Sequence, residues 1–276
     1  MRRVVRGMAY ALLPAEVVLA VFLVAGVRIP GAVVVGAEVA VLALVGAEVL
    51  LFVRLLRRGL GLREAVYELV PEPVVRLIGH ELRLMVSLVR WVARRSQGTG
   101  GTGAEAFGHA RDQAAYMYGF LFVCVVETAG MSYLLASWPV VHAVVLVLDV
   151  YTVLFVLGLH AASVTRPHVV DGDAVRVRQG AHVDLVIPLE RISAVRHEPL
   201  FSHEKAEGVL DLAVASQTSV TIELSESVTA VRLLGTRCPV RLVRCHADDA
   251  RGFVDAVGRA LTRERTGPSP VPGPPA

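Results

Sequence analysis

Two apolar runs, residues 9–27 and 32–53, stand four residues apart, and each approaches the ~20 residues that carry a helix across ~30 Å of hydrocarbon. Such a pair has few alternatives to a membrane hairpin, because backbone in lipid must satisfy its own hydrogen bonds. Arg28-Ile29-Pro30-Gly31 supplies the turn. Pro14 and Glu16 interrupt the first run and a second span follows at once, which argues for a retained span over a cleaved leader. A second hairpin is expected at residues 114–136 and 139–161. Ser137-Trp138-Pro139 between them offers an N-cap, an interfacial aromatic and an N1 proline. Four helices should therefore cross.

Composition agrees. Hydrophobic residues make up 54% of the 276 and charged residues only 19%, which excludes an ordinary soluble enzyme. The formal net charge of +3 is too small to suggest a nucleic-acid partner, and Lys205 is the sole lysine. Arg2, Arg3 and Arg6 precede the first span and Arg54, Arg57 and Arg58 follow the second, against Arg28 alone in the turn between them. Arg111 and Arg166 flank the second hairpin. The bias predicts a multi-pass protein of the inner (cell) membrane with both termini cytoplasmic.

Between the hairpins, residues 54–113 form a connector too long for a simple loop, broken at Pro71-Glu72-Pro73 and at the glycine-rich residues 98–103. A helix is expected over residues 74–95. At about 100° per residue, Val74, Ile78, Met85, Val89 and Val92 share one face, while Arg76, Arg83, Arg90 and Arg94 share the opposite one. With Trp91 near its end, the pattern fits an in-plane helix resting on anionic headgroups. It fits equally an amphipathic helix packed on the cytoplasmic domain, since Glu81 beside the apolar face prefers a protein partner to lipid.

After Arg166-Pro167 the apolar runs become short and alternating. Residues 165–263 are read as a β domain with strands at 174–178, 182–187, 192–197, 209–215, 219–224, 230–234 and 240–245. Asp249 is placed to cap a helix at 250–261 whose Phe253, Val254, Val257 and Leu261 can plug the sheet. The proline-rich residues 264–276 are expected to be disordered. About seven strands and a closing helix, with the phrases Arg166-Pro167-His168-Val169-Val170, residues 186–192 and residues 248–254, resemble the bacterial pleckstrin-homology-like (PH-like) fold. The whole chain resembles uncharacterised four-span membrane proteins of high-GC Gram-positive, actinobacterial type. The resemblance implies architecture and brings no catalytic residue and no cofactor. In phosphoinositide-binding domains of that fold a basic first hairpin holds the phosphates. Here it carries Arg176, Arg178 and His182, followed by Asp184, and residues 165–265 hold fourteen basic and fourteen acidic residues. A protein-binding or self-associating module is the better expectation.

Each span carries an acid: Glu16, then Glu38 and Glu48, then Glu127, then Asp149, with no arginine or lysine in any. An acid at mid-membrane costs on the order of 2.5 to 3.5 kcal/mol on insertion scales, so these groups should face the bundle, a partner or water. Neutral hydrogen bonding to His142, Thr128 or Tyr151 is one reading, proton or cation handling a second, and metal binding a third. The third lacks any Glu-x-x-His in a span. Span two repeats Val-Gly-Ala-Glu-Val at residues 35–39 and 45–49, and Gly36, Ala40, Ala43 and Ala47 form a small-residue stripe suited to close helix contact.

No nucleophile elbow, Walker loop, His-Glu-x-x-His or dinucleotide motif occurs; His80-Glu81 begins like the zinc motif, but Leu84 stands where its second histidine belongs. Cys124, Cys238 and Cys245 fit no zinc or redox spacing. No metal site is expected. The reading is a non-enzymatic membrane scaffold that presents a PH-like module to a cytoplasmic protein partner or to copies of itself. The alternative is a small proton- or cation-coupled transporter or channel using the intramembrane carboxylates.

Overall fold

The computed structural model describes residues 30–98, 103–204 and 206–265. The first expected span with Glu16, residues 99–102 and the tail from residue 266 lie outside the described residues, as does the side chain of Glu48. Two compact units emerge, residues 1–75 with 131–146 and residues 76–130 with 147–276.

In the first unit, α1 (Gly31–Arg57) is followed by the short α2 (Leu62–Leu69). The end of α1 is a Schellman motif: Leu60 N–H donates to the Leu55 carbonyl and Gly59 N–H to that of Leu56. Gly59 adopts the required left-handed conformation at φ +82. Pro71 and Pro73 then bracket the start of α3 (Glu72–Val92), where a missing N–H costs nothing. Among the described residues, α1, α4 (Arg111–Leu134) and α5 (Pro139–Thr165) are long and apolar enough to cross a membrane. Their most apolar stretches are 6% buried by protein, as lipid-facing helices require.

The second unit contains eight strands in two four-stranded sheets. In the first sheet β1 (Glu105–Phe107), β2 (His168–Val170), β3 (Ala174–Gln179) and β4 (Val183–Pro188) pair antiparallel in chain order. In the second, β5 (Ile192–Leu200), β7 (Thr218–Val231), β8 (Arg237–Cys245) and β6 (Val209–Leu212) follow in that spatial order, β6 lying parallel to β8. The count exceeds the expected seven. The edge strand β1 comes from the connector, β2 is an added short strand, and the two strands expected at 219–224 and 230–234 are one, β7. Ser225-Glu226-Ser227 reads as a turn, but the chain stays extended through an irregularity between Glu223 and Val228.

Helix α6 (Ala250–Arg265) closes the core. Asp249 caps it by accepting from Gly252 N–H at 3.0 Å, and Phe253, Ala256, Val257 and Ala260 pack on Val175, Val177, Ile187, Val220, Ile222 and Val243.

Candidate functional site

Helix α3 carries three stripes where the sequence suggested two. His80, Leu84 and Ser87 are buried, and Trp91 stands edge-on to His160 of α5 at 5.6 Å. Leu84 meets the bare backbone of Gly158, and Met85, Phe155 and Leu159 pack around it. The apolar face formed by Val74, Ile78, Val89 and Val92 is left uncovered, up to 75% exposure at Val92; Met85, at its edge, is half-buried. On the third stripe, Arg83 donates to the Gly79 and Ala181 carbonyls.

Contacts between α3 and α5 advance together along both helices. The Tyr151 hydroxyl donates to Glu81 at 2.6 Å, Leu84 covers Gly158, and Trp91 reaches His160. Ten residues of α3 rise about 15 Å. These three contacts tie residues 81–91 of α3 to residues 151–160 of α5. Glu81 has the protein partner that its place beside the apolar face demands.

The turn between β3 and β4 is fastened to these helices. Gly180 turns the chain at φ +50, and Ala181 packs with Leu84 and Ala162 while its carbonyl accepts from Arg83 Nη1 at 2.8 Å. Behind the turn, Asp184 gathers three guanidinium groups: Arg176 at 2.6 Å, Arg166 at 3.0 Å and Arg178 at 3.4 Å. Arg178 also donates to the carbonyls of Gln97 and Pro167. Gly98 crosses over it so closely that a Cβ would lie 2.9 Å from its Nη2. Burial alone would raise the Asp184 carboxyl, but the hydrogen bond and charge of Arg176, with those of Arg178 and Arg166, hold it below the ordinary range. Burial lowers the pKa of Arg166 and Arg178, and Asp184 opposes that shift. His182 sits 6.5 Å from His80, ring to ring. The basic hairpin of β3 and β4 is thus turned onto the chain's own helices.

A second cluster escaped the sequence reading. His109, His168 and His246 are all buried at the junction of β1, β2, β8 and the start of α4. The His109 and His168 rings stack at 4.8 Å. His168 Nδ1 accepts from Arg178 N–H, so its proton resides on Nε2, which donates to the His246 carbonyl at 2.8 Å. That pattern needs a neutral ring, and burial, partly offset by the carbonyl hydrogen bond, pushes His168 down to about 4. Burial and the neighbouring histidines push His109 down to about 3. His246 Nε2 lies 3.3 Å from Asp112, and Asp248 accepts from Arg111 N–H at the helix start. Separations of 59 and 78 residues between these histidines leave no local signal in the sequence.

Of the acids named from sequence, Glu38 on α1 and Glu127 on α4 are exposed, and Asp149 on α5 is half-buried, its Oδ2 lacking a hydrogen-bond partner among the described residues. His142 Nε2 also lacks one, and Thr128 donates to the Cys124 carbonyl. Helix α4 packs on α5 with Tyr118 against His160 and Leu121 beside Val156. Glu127 lies about 9 Å beyond Leu121 and Asp149 about 11 Å beyond Val156, which puts these two acids at one level. Among the described residues no three His, Cys, Asp or Glu side chains are grouped to hold a metal ion.

Compared with protein-family models, curated proteins and solved structures, the chain matches none.

Proposed function

We propose that the chain is a non-enzymatic inner-membrane scaffold: four spans hold a PH-like module at the cytoplasmic face, where it recruits a protein or pairs with a second copy. The observation that carries this reading is the fastening of the β3–β4 turn to α3 and α5 by Arg83 and Ala181. A module so held is an extension of the helices. Changes in helix packing reach it directly, and its basic hairpin is spent on the chain's own backbone and Asp184. Two sheets capped by α6 support the PH-like reading, while the parallel β6–β8 pair departs from an all-antiparallel plan. Arginine bias supports cytoplasmic termini.

Cross-linking and light scattering of the intact protein in nanodiscs, with co-purification from native membranes, test the proposal. A defined oligomer or a stoichiometric partner is expected; a monomer that retains no partner would sink it.

One observation favours a second reading. Among the described residues Asp149 has an unpartnered buried oxygen at the level of Glu127, which suits a proton or cation path between α4 and α5. Flux measurements separate the two.

A further inference from the structure

The C-terminal end of α3 and the last turn of α5 enclose an open groove of about 460 Å³, lined by Trp91, Val92, Arg94, Arg95, Ser96 and Val164. Its wall is mainly apolar, Val92 and Val164 lying open to the surroundings. Its two cations are both exposed, and neither has an ion-pair partner among the described residues.

The backbone here is held at a cost. Arg95 N–H donates to the Arg90 carbonyl and Arg94 N–H to that of Trp91, the same Schellman geometry that ends α1. At α1 the left-handed position is occupied by Gly59; at α3 it is occupied by Arg94, at φ +53. A side chain in that conformation is disfavoured by contact of Cβ with the following carbonyl. The arginine is therefore placed where local folding prefers glycine, and its neighbour Arg95 adds a second fork beside it.

We propose that this groove binds the headgroup of an anionic phospholipid, with the phosphate between Arg94 and Arg95 and the first carbons of the chains against Trp91, Val92 and Val164. Forked donors suit phosphate oxygens, and the apolar wall suits the part of a lipid that a free phosphate lacks. The proposal rests on the reading of the chain as an inner-membrane scaffold, with the uncovered face of α3, from Val74 to Val92, set against lipid.

Trp91 and Trp138 are the only tryptophans, so Trp138→Phe leaves Trp91 as a reporter inside the groove. The intact Trp138→Phe protein is placed in phosphatidylcholine vesicles with chain-brominated phosphatidylglycerol or chain-brominated phosphatidylcholine at equal mole fraction. Phosphatidylglycerol should quench Trp91 preferentially, by on the order of fivefold in apparent affinity for each arginine engaged. Arg94→Gly with Arg95→Gln should abolish the preference without lowering Tm, because glycine relieves the left-handed position. Arg90→Gln, on the same face outside the groove, should leave it intact. Equal quenching by both lipids, or an equal loss in Arg90→Gln, overturns the site while leaving α3 at the membrane. Quenching by neither overturns the bilayer placement as well.

Discussion

Leu84 of α3 is fully buried against Gly158 of α5, where an added Cβ would come within 3.1 Å of the Leu84 Cβ. This close approach holds α3 against α5 beside the point where Arg83 reaches the Ala181 carbonyl. Gly158→Leu should force the helices apart and cost about 1 to 3 kcal/mol. Gly158→Ala should be near neutral, since the crowding offsets a helix-propensity gain of about 1 kcal/mol. Thermal unfolding in detergent checks both, and limited proteolysis should cut the connector of the leucine variant faster. An unchanged Tm for Gly158→Leu would mean that the contact carries no weight.

Asp184 is the only carboxylate bonded to Arg166, Arg176 and Arg178 among the described residues, and Arg166 and Arg178 are buried. Asp184→Asn leaves those charges uncompensated, so a loss of about 3 kcal/mol is expected. Glu223→Gln, which breaks the exposed pair with Arg196, should cost less than about 1 kcal/mol. Denaturant titration of both variants makes the comparison; equal losses would show that the Asp184 cluster is ordinary surface charge.

What the sequence made legible was local. Asp249 three residues before Gly252, and Phe253, Val254 and Val257 at helical spacing, define α6 from one short stretch, as the prolines at 71 and 73 define the start of α3. Glu81 read as needing a protein partner, and Tyr151 supplies it. A helical wheel separates apolar from charged residues, but it does not show that His80, Leu84, Ser87 and Trp91 make a third, packing stripe, because that stripe mixes both kinds. Nor does it show that the turn at Ala181 is what packs there. The strand at Glu105–Phe107 is too short to alternate, and its partner His168–Val170 lies beyond two spans.

The histidine cluster should make stability depend on acid. The folded-state values of His168 and His109 lie below the ordinary 6.5, at about 4 and about 3. The unfolded chain therefore binds protons first as pH falls. Stability is complete above about pH 6.5 and is lost on acidification, by on the order of 3 kcal/mol for His168 by about pH 4. Among the described residues the His109 nitrogens have no hydrogen-bond partner, so His109→Leu should keep or raise Tm at neutral pH and shallow the acid slope. Melting curves from pH 7 to pH 4 test this; an identical slope in the variant would remove His109 from the linkage.

Thiol labelling tests the sheet directly. Cys245 is fully buried and its thiol is pushed up to about 12 by burial, whereas Cys238 is half-exposed on the same strand. Seven residues of strand separate them by roughly 24 Å, which rules out a disulfide between them. Maleimide should label Cys238 in the folded protein and reach Cys245 only after denaturation. Prompt labelling of Cys245 would contradict the placement of β8.

The acids of α4 and α5 decide between the two functional readings. Glu127 and Asp149 share a level, and among the described residues Asp149, unlike Glu127, has a buried oxygen without a hydrogen-bond partner, a placement that calls for a cation, a water or a further donor. If it serves a path, Asp149→Asn should abolish proton or cation flux in proteoliposomes while leaving Tm and the oligomeric state unchanged. Glu127→Gln should then reduce flux, because the neighbouring acid helps to set the field at that level. Under the scaffold reading, neither wild type nor variant conducts, and Asp149→Asn keeps or raises stability, since an amide avoids the cost of ionisation. Flux in the wild type that persists at full rate in Asp149→Asn would remove the residue from any path. The conducting route would then have to avoid the α4–α5 interface.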